Sequence, residues 1–303
     1  MDAVQISGVT KTFGEVIAVD DLSLSVPEAS VFGFIGPNGS GKTTTIRMIV
    51  NIFYPDRGTI RVFGQSLNGP GGALIGYLPE ERGLYRKMKV RALLEFFGEL
   101  RGGRNVRKEV DGWLERLDLA HCADRGVDTL SKGMSQRVQF IAAVVPEPKL
   151  LILDEPFTGL DPVSADALRE SILALRGRGA TVILSTHDMP VAETLCDQIF
   201  MIFKGRKVLD GTLAAIQDQY GNDTLRVSVP GGLAAAGTLP GVEKVRDLGQ
   251  VQELRMARGS DPHELLRILV ERTRVDSFSV TKPSLHDIFV RIAGPAAEAV
   301  EHA

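Results

Sequence analysis

The stretch GPNGSGKT, Gly36 to Thr43, holds the first residues in this 303-residue chain whose types and spacing could do chemistry. It fits G-x-x-x-x-G-K-[ST] and lies where that pattern must lie, after the apolar run SVFGFI and before KTTTIRMIVNIF, which has helical period. Gly36, Gly39 and Gly41 let backbone N–H groups curl around phosphate oxygens, and Pro37, Asn38, Ser40 and Thr44 complete the candidate contact set. The helix N-terminus adds a positive partial charge. Lys42 offers a point charge to the outer phosphates, and Thr43 a hydroxyl to Mg²⁺. A second set, LLILDEP, puts two carboxylates at the end of a buried strand. Asp154 is placed to contact Mg²⁺, directly or through water, and Glu155 to polarise an attacking water as a general base. Alone, "DE" after an apolar run is an ordinary strand end; beside a phosphate loop it completes a phosphoryl-transfer pattern.

The elements that position these groups alternate short apolar runs with helical segments, the pattern of an α/β domain with a largely parallel sheet. SVFGFIG, LLILD and TVILSTH read as buried strands, and VSADALRESILALRGRG as a helix ending in Gly. Residues 88 to 145 differ: Val90, Leu93, Leu94, Phe97 and Leu100 share one helical face, and Val106, Val110, Trp113, Leu114 and Leu117 another. A mostly helical insertion over about 85–145 is expected, inside a nucleotide-binding domain of residues 1–220. Beyond it, TLRVSV, VQELRMAR and VDSFSVTK read as strands, DPHELLRILVERT and PSLHDIFVRIAG as helices, and VPGGLAAAGTLPG as a loop. Residues 222–293 therefore form a small α+β domain, with 294–303 a tail.

Bulk composition narrows the class. Hydrophobic residues are 44% and charged residues 24%, as in ordinary globular chains. The net charge is −3 with no Lys/Arg-rich block, so a nucleic-acid partner is not expected. Two distant cysteines, Cys122 and Cys196, suit a reducing compartment and no zinc site. The first residues lack the apolar core of a signal peptide, and no stretch approaches the roughly 20 apolar residues of a membrane span. The chain is expected in the cytoplasm, on the inner face of the cell membrane only through a partner.

Several further motifs, in order, give the chain its resemblance to the ATP-binding subunits of ABC transporters over roughly residues 4 to 220. LSKGMSQ, Leu130 to Gln136, resembles the signature LSGGQ; GLDP, Gly159 to Pro162, resembles the loop after the second carboxylate motif. STHD supplies His187 like the family's switch histidine, and KTFG puts Phe13 where an aromatic ring usually stacks on adenine. The resemblance implies a P-loop NTPase that takes ATP and Mg²⁺. It implies that Ser131 and Gly133 meet the γ-phosphate of ATP held by a second copy, that Asp161 communicates between sites, and that His187 holds the γ-phosphate and water. With one phosphate loop and one signature per chain, it implies a head-to-tail dimer with ATP at the interface.

Two departures from the family pattern matter. Lys132 and Met134 replace the usual Gly and Gln of the signature, leaving the backbone roles of Ser131 and Gly133 intact. In LPEERGLY, Glu80 replaces the Gln that helps position Mg²⁺ and water. Glu80 keeps a carboxyl oxygen for a hard cation and loses the amide donor. Because Lys42, Thr43, Asp154, Glu155 and His187 are all present, a working ATPase with a variant coupling loop is expected. LPEERGLY and the closing PSLHDIF resemble exporter-type relatives with a small C-terminal domain and a separate permease. The loop from Glu80 to Lys89, including Tyr85 and Met88, is the expected docking surface. A soluble ATPase switch acting on a protein or nucleic-acid complex is the alternative, disfavoured because no coiled-coil or zinc insertion interrupts the signature.

Overall fold

The computed structural model describes residues 1–66, 75–81, 83–100, 105–221, 223–233, 237–257 and 259–294. Arg82 of the coupling loop, residue 222, part of the expected 229–241 loop and the tail from 295 onward lie outside them. Along the chain run β1 (Asp2–Phe13), β2 (Val16–Pro27), β3 (Val31–Ile35), α1 (Lys42–Ile49), β4 (Arg57–Val62), β5 (Gln65–Ser66) and β6 (Ile75–Leu78). Then come α2 (Val90–Leu100), α3 (Val106–Arg116), α4 (Lys132–Val144), β7 (Leu150–Asp154), α5 (Pro162–Gly177), β8 (Thr181–Thr186), α6 (Met189–Leu195), β9 (Gln198–Phe203) and β10 (Arg206–Gly211). The rest holds α7 (Leu213–Tyr220), β11 (Thr224–Ser228), β12 (Val242–Asp247), β13 (Gln252–Met256), α8 (Pro262–Arg272), β14 (Ser277–Thr281) and α9 (Leu285–Ala293). The chain divides into two compact units, Met1–Thr212 and Leu213 onward, so α7 is counted with the second.

In the first unit a six-stranded sheet has the order β10-β9-β3-β8-β7-β6, with β6, β7, β8, β3 and β9 parallel and β10 antiparallel at the edge. Strands β3, β7 and β8 are buried along their whole length. Period-2 alternation therefore feeds two cores at once, which is why they read as unbroken apolar runs. Leu151 and Leu153 face the helices α2, α3 and α4, while Leu150 and Ile152 face α1 and a second sheet, β2-β1-β4-β5. That antiparallel sheet was not evident as strands in the sequence. On α2, Val90, Leu93 and Leu94 are buried as expected, but Leu100, at the helix end, is 66% exposed. The five apolar residues expected on one face of α3 and just beyond it are all buried.

Helix ends follow local chemistry. The helix expected from KTTTIRMIVNIF stops at Ile49, and Asn51 takes a left-handed conformation with φ 63°. Gly179, with φ 93°, follows the end of α5, where a residue with a Cβ would be strained.

The second unit is an antiparallel sheet of order β12-β13-β11-β14. Leu225, Val227, Leu254 and Met256 on one face form a core with Leu265 and Leu269 of α8. Strand β12 had not been expected, since VEKVRD carries four charges in six residues. Helix α9 starts with a capping box, in which Ser284 and Asp287 bond each other's backbone.

Candidate functional site

The loop between β3 and α1 is shaped by what a side chain would collide with. A Cβ on Gly36 would stand 2.3 Å from the carbonyl oxygen of Ile202, and one on Gly41, at φ 108°, 2.5 Å from that of Ala18. Both contacts are with backbone, so only glycine fits. Inside the loop, Lys42 is buried and its Nζ donates to the carbonyls of Gly36 at 2.6 Å and Pro37 at 3.2 Å. Burial pushes the ammonium's pKa down, and Glu155, Asp154 and Glu80 oppose that shift. The buried hydroxyl of Ser40 has no hydrogen-bond partner among the described residues, an orphan polar atom inside a loop suited to phosphate oxygens.

Across the loop stand the carboxylates of β7. Asp154 accepts from Ser185 Oγ at 2.7 Å and from Thr43 Oγ1 at 3.2 Å. Burial pushes its pKa up, and these two hydrogen bonds counter the shift. Glu155 follows at φ 51°, a left-handed backbone that a residue with a side chain rarely adopts. Its Oε1 accepts from the His187 N–H at 2.9 Å and meets His187 Nδ1 at 2.7 Å, and its Oε2 accepts from Thr186 Oγ1 at 3.2 Å. His187 and Glu155 are thus one hydrogen-bonded unit, held by the end of β8. Ser185 and Thr186 fix both carboxylates, and nothing local in the sequence marks their role, because each lies 31 residues from the carboxylate it holds.

One cleft of about 540 Å³ collects Asn38, Gly39, Ser40, Gly41, Lys42, Thr43, Thr44, Glu80, Asp154 and Glu155. Its mouth is formed by Val16, Ile17 and Ala18 at the start of β2, with Lys204 and Gly205 between β9 and β10. None of these five wall residues was singled out in the sequence. Phe13 does not line the cleft itself. Its ring is 44% exposed, packs edge-on against Phe53 at 5.4 Å, and lies 5.5 Å from Lys11 Nζ. Among the described residues no three His, Cys, Asp or Glu side chains converge on a metal position. The donors fit Mg²⁺ in the usual protein manner, one hydroxyl and one or two carboxylates with the remaining positions left to phosphate and water.

Ser131, Gly133 and Asp161 also lie outside the cleft lining. Ser131 caps α4, accepting from Met134 N–H at 3.3 Å, and the N-terminus of α4 is exposed at Ser131 and Lys132. The Lys132 stem passes beside Gly159, with its Cε 3.2 Å from where a Cβ there would be. Asp161 caps α5, accepting from the N–H and hydroxyl of Ser164 at 3.0 and 2.6 Å, and these bonds push its pKa down. Helix α4 also reaches toward the cleft: Gln136 Nε2 donates to the Pro156 carbonyl at 3.3 Å, and Gln139 Nε2 to the Glu81 carbonyl at 3.1 Å.

Residues 19–158 match the ABC transporter family model, and residues 211–293 match the C-terminal domain of ATP-binding protein DrrA1-3-like proteins. A short overlapping match, residues 125–192, is to an AAA domain described as a putative AbiEii toxin. The ABC transporter ATP-binding protein YhaQ of Bacillus subtilis is 39% identical over 97% of this chain and 99% of its own length. The Nod factor export ATP-binding protein I of Paraburkholderia xenovorans is 35% identical over 96% of this chain and 97% of its own. A solved ATP-binding subunit of an ABC transporter superposes with a TM-score of 0.69 at 31% identity, covering 72% of this chain and 93% of that one. The chain belongs to the ATP-binding subunits of ABC transporters, a family of ATPases.

Proposed function

We propose that two copies of this chain close head-to-tail on Mg–ATP and drive a separate multispanning permease, in the direction of export, from the cytoplasmic face of the membrane. The observation that carries the dimer is the division of the phosphate-facing parts. The cleft holds the phosphate loop and carboxylates, whereas Ser131 and Gly133 stand outside its lining at an exposed helix N-terminus, free to meet an anion presented by another copy. Among the described residues no helix is long and apolar enough to cross a membrane, in keeping with a permease on another chain. Export draws support from the Nod factor export relative and from the DrrA-like C-terminal match.

Within each site Lys42 and the loop N–H groups hold the phosphates, and Thr43, Asp154 and Glu80 are the oxygen donors that would hold Mg²⁺. Bound there, the ion would neutralise phosphate charge. Glu155, oriented by its bonds to His187 and Thr186, takes the proton of the attacking water, and His187 steadies the carboxylate and faces the γ-phosphate. Catalysis is mostly positioning and charge, so the hydrogen bonds that fix Asp154 and Glu155 matter as much as the carboxylates.

The permease contact is assigned to the coupling loop and α2. Tyr85 and Phe96 are 57% and 41% exposed, and with Phe97 they form a mutually packed aromatic cluster, with centroids 5.7 to 6.2 Å apart. Exposed grouped rings of this kind mark an interaction surface. The test is native mass spectrometry of tagged Glu155→Gln protein purified in mild detergent with ATP. Two copies bound to a multispanning protein is the expected species. A monomer, or a soluble complex without a membrane protein, overturns the proposal and favours the switch reading.

A further inference from the structure

We propose that the C-terminal unit carries a second ligand site, a cavity for a phosphomonoester between the polar face of its sheet and α9. The antiparallel pairing sets Lys244 opposite Arg255 and Arg246 opposite Glu253, so these four side chains share one face, away from the Leu225 and Leu254 core. With α9 they line a cavity of about 570 Å³, within the range of small-molecule sites.

Three features of this cavity call for an anion. Lys244 and Arg255 are like charges directly opposite on neighbouring strands, an arrangement that is destabilising unless something negative lies between them. Lys244 forms no ion pair among the described residues. Arg255 Nε is buried without a hydrogen-bond acceptor, its acidic neighbours Glu243 and Asp223 standing at 3.4 and 3.9 Å. Arg246 is held only loosely, 3.3 Å from Asp287. By contrast Arg291, on the α9 side, is fully engaged by Asp223 through two bonds of 2.9 and 3.0 Å, so it shapes the cavity and is not its free cation.

Of the two carboxyls in the lining, Asp287 is held down against burial by its hydrogen bonds from Ser284 and pairs with Arg246, while Glu253 is shifted the other way. Burial and the adjacent Asp287 carboxyl push the pKa of Glu253 up, which favours its uncharged form. A phosphomonoester carries about −1.5 to −2 charges at pH 7 and three acceptor oxygens, enough to answer Lys244, Arg255 and Arg246 together. Val245 and Val290 add apolar surface to the same lining, which suits an ester with a short carbon body better than bare phosphate. Such an ester occurs both in soluble metabolites and in lipid headgroups, and the two sources share the chemistry argued here.

The experiment uses the full chain with its ATPase site saturated by Mg–ADP, so that the phosphate loop is blocked. Isothermal titration is run with sn-glycerol 3-phosphate and, separately, with dihexanoylphosphatidic acid below its micelle concentration, each to about 5 mM, a range that detects millimolar affinity. Binding of at least one probe to wild type is expected, weakened about tenfold or more in Lys244→Glu, which places a like charge where the ester sits. Binding of the glycerol ester alone assigns a soluble ligand, and binding of the lipid alone assigns a headgroup. If Lys244→Glu unfolds by circular dichroism, Lys244→Ala is compared instead, with a loss of about threefold or more expected. Absence of binding by both probes, or equal binding by wild type and folded variant, overturns the proposal.

Discussion

Glu155→Gln is the sharpest probe of the cleft, because its structural and chemical costs separate. The substitution is nearly isosteric. The retained oxygen still accepts from the His187 N–H and faces His187 Nδ1, while the new NH₂ stands where Oε2 accepted from Thr186 Oγ1. That hydroxyl keeps its bond from the Asp188 N–H at 3.0 Å. One hydrogen bond to a charged group is the net loss, about 1.5–3 kcal/mol, so the melting temperature should fall by several degrees. The chemical cost is larger: removal of a general base costs about 10²–10⁴ in rate, or roughly 3–5 kcal/mol of barrier. Affinity moves the other way. Glu155 heads the carboxylates acting on Lys42, and removing its charge relieves repulsion of phosphate, so ATP should bind as tightly as to wild type or more so. The assay is steady-state phosphate release alongside fluorescent-nucleotide binding and a thermal melt. Turnover within about tenfold of wild type, with binding intact, would refute the assignment of Glu155 as base.

Two further outcomes follow from other parts of the chain. Phe13→Ala should change ATP affinity by less than about threefold, because the ring packs on Phe53 outside the cleft lining; a base-stacking ring would be worth about 1–3 kcal/mol, and a loss of tenfold or more in equilibrium titration would return it to the site. The Asp56 carboxyl, bonded first by Lys11 and then by the Thr12 N–H and hydroxyl, is held down to about 2 from 3.8. A depressed carboxyl contributes stability that is present above its unfolded value and lost as pH falls through the folded one. Melts of Asp56→Asn should therefore lie below wild type at pH 5 and converge with it near pH 2, and parallel curves across that window would dismiss the linkage.

What could be read from the sequence depended on how local its cause was. The phosphate loop and the Asp154–Glu155 pair were legible because strand, turn and helix lie within a few residues of one another. Strands β3, β7 and β8 were legible because burial on both faces leaves an unbroken apolar run. Strand β1 was not, because its pairing with β2 shifts register between Ile6 and Val9 and again between Val9 and Lys11, which breaks the alternation a half-buried strand should show. Strand β12 hid for another reason: four of its six residues are charged and five are exposed, so no apolar alternation marks it. The supports of the site, Ser185, Thr186, Gln136 and Gln139, are ordinary polar residues until the fold brings them to β7 and the coupling loop. The cleft mouth at Val16, Ile17 and Ala18 likewise exists only once β2 and the β9–β10 turn meet.

Helix α4 begins at Ser131, where a second copy is proposed to dock, and carries two anchors further along: Gln136 holds the backbone beyond Glu155, and Gln139 holds the backbone of the coupling loop at Glu81. One helix thus joins the proposed dimer contact, the segment after β7 and the proposed permease contact. Linkage then imposes a reciprocity. In the proposed assembly, whatever factor a permease conformation applies to the dimerisation constant through Glu81, dimerisation would apply to the equilibrium between permease conformations. The transported cargo, acting only through the membrane partner, would be felt as a change in how readily two of these chains close.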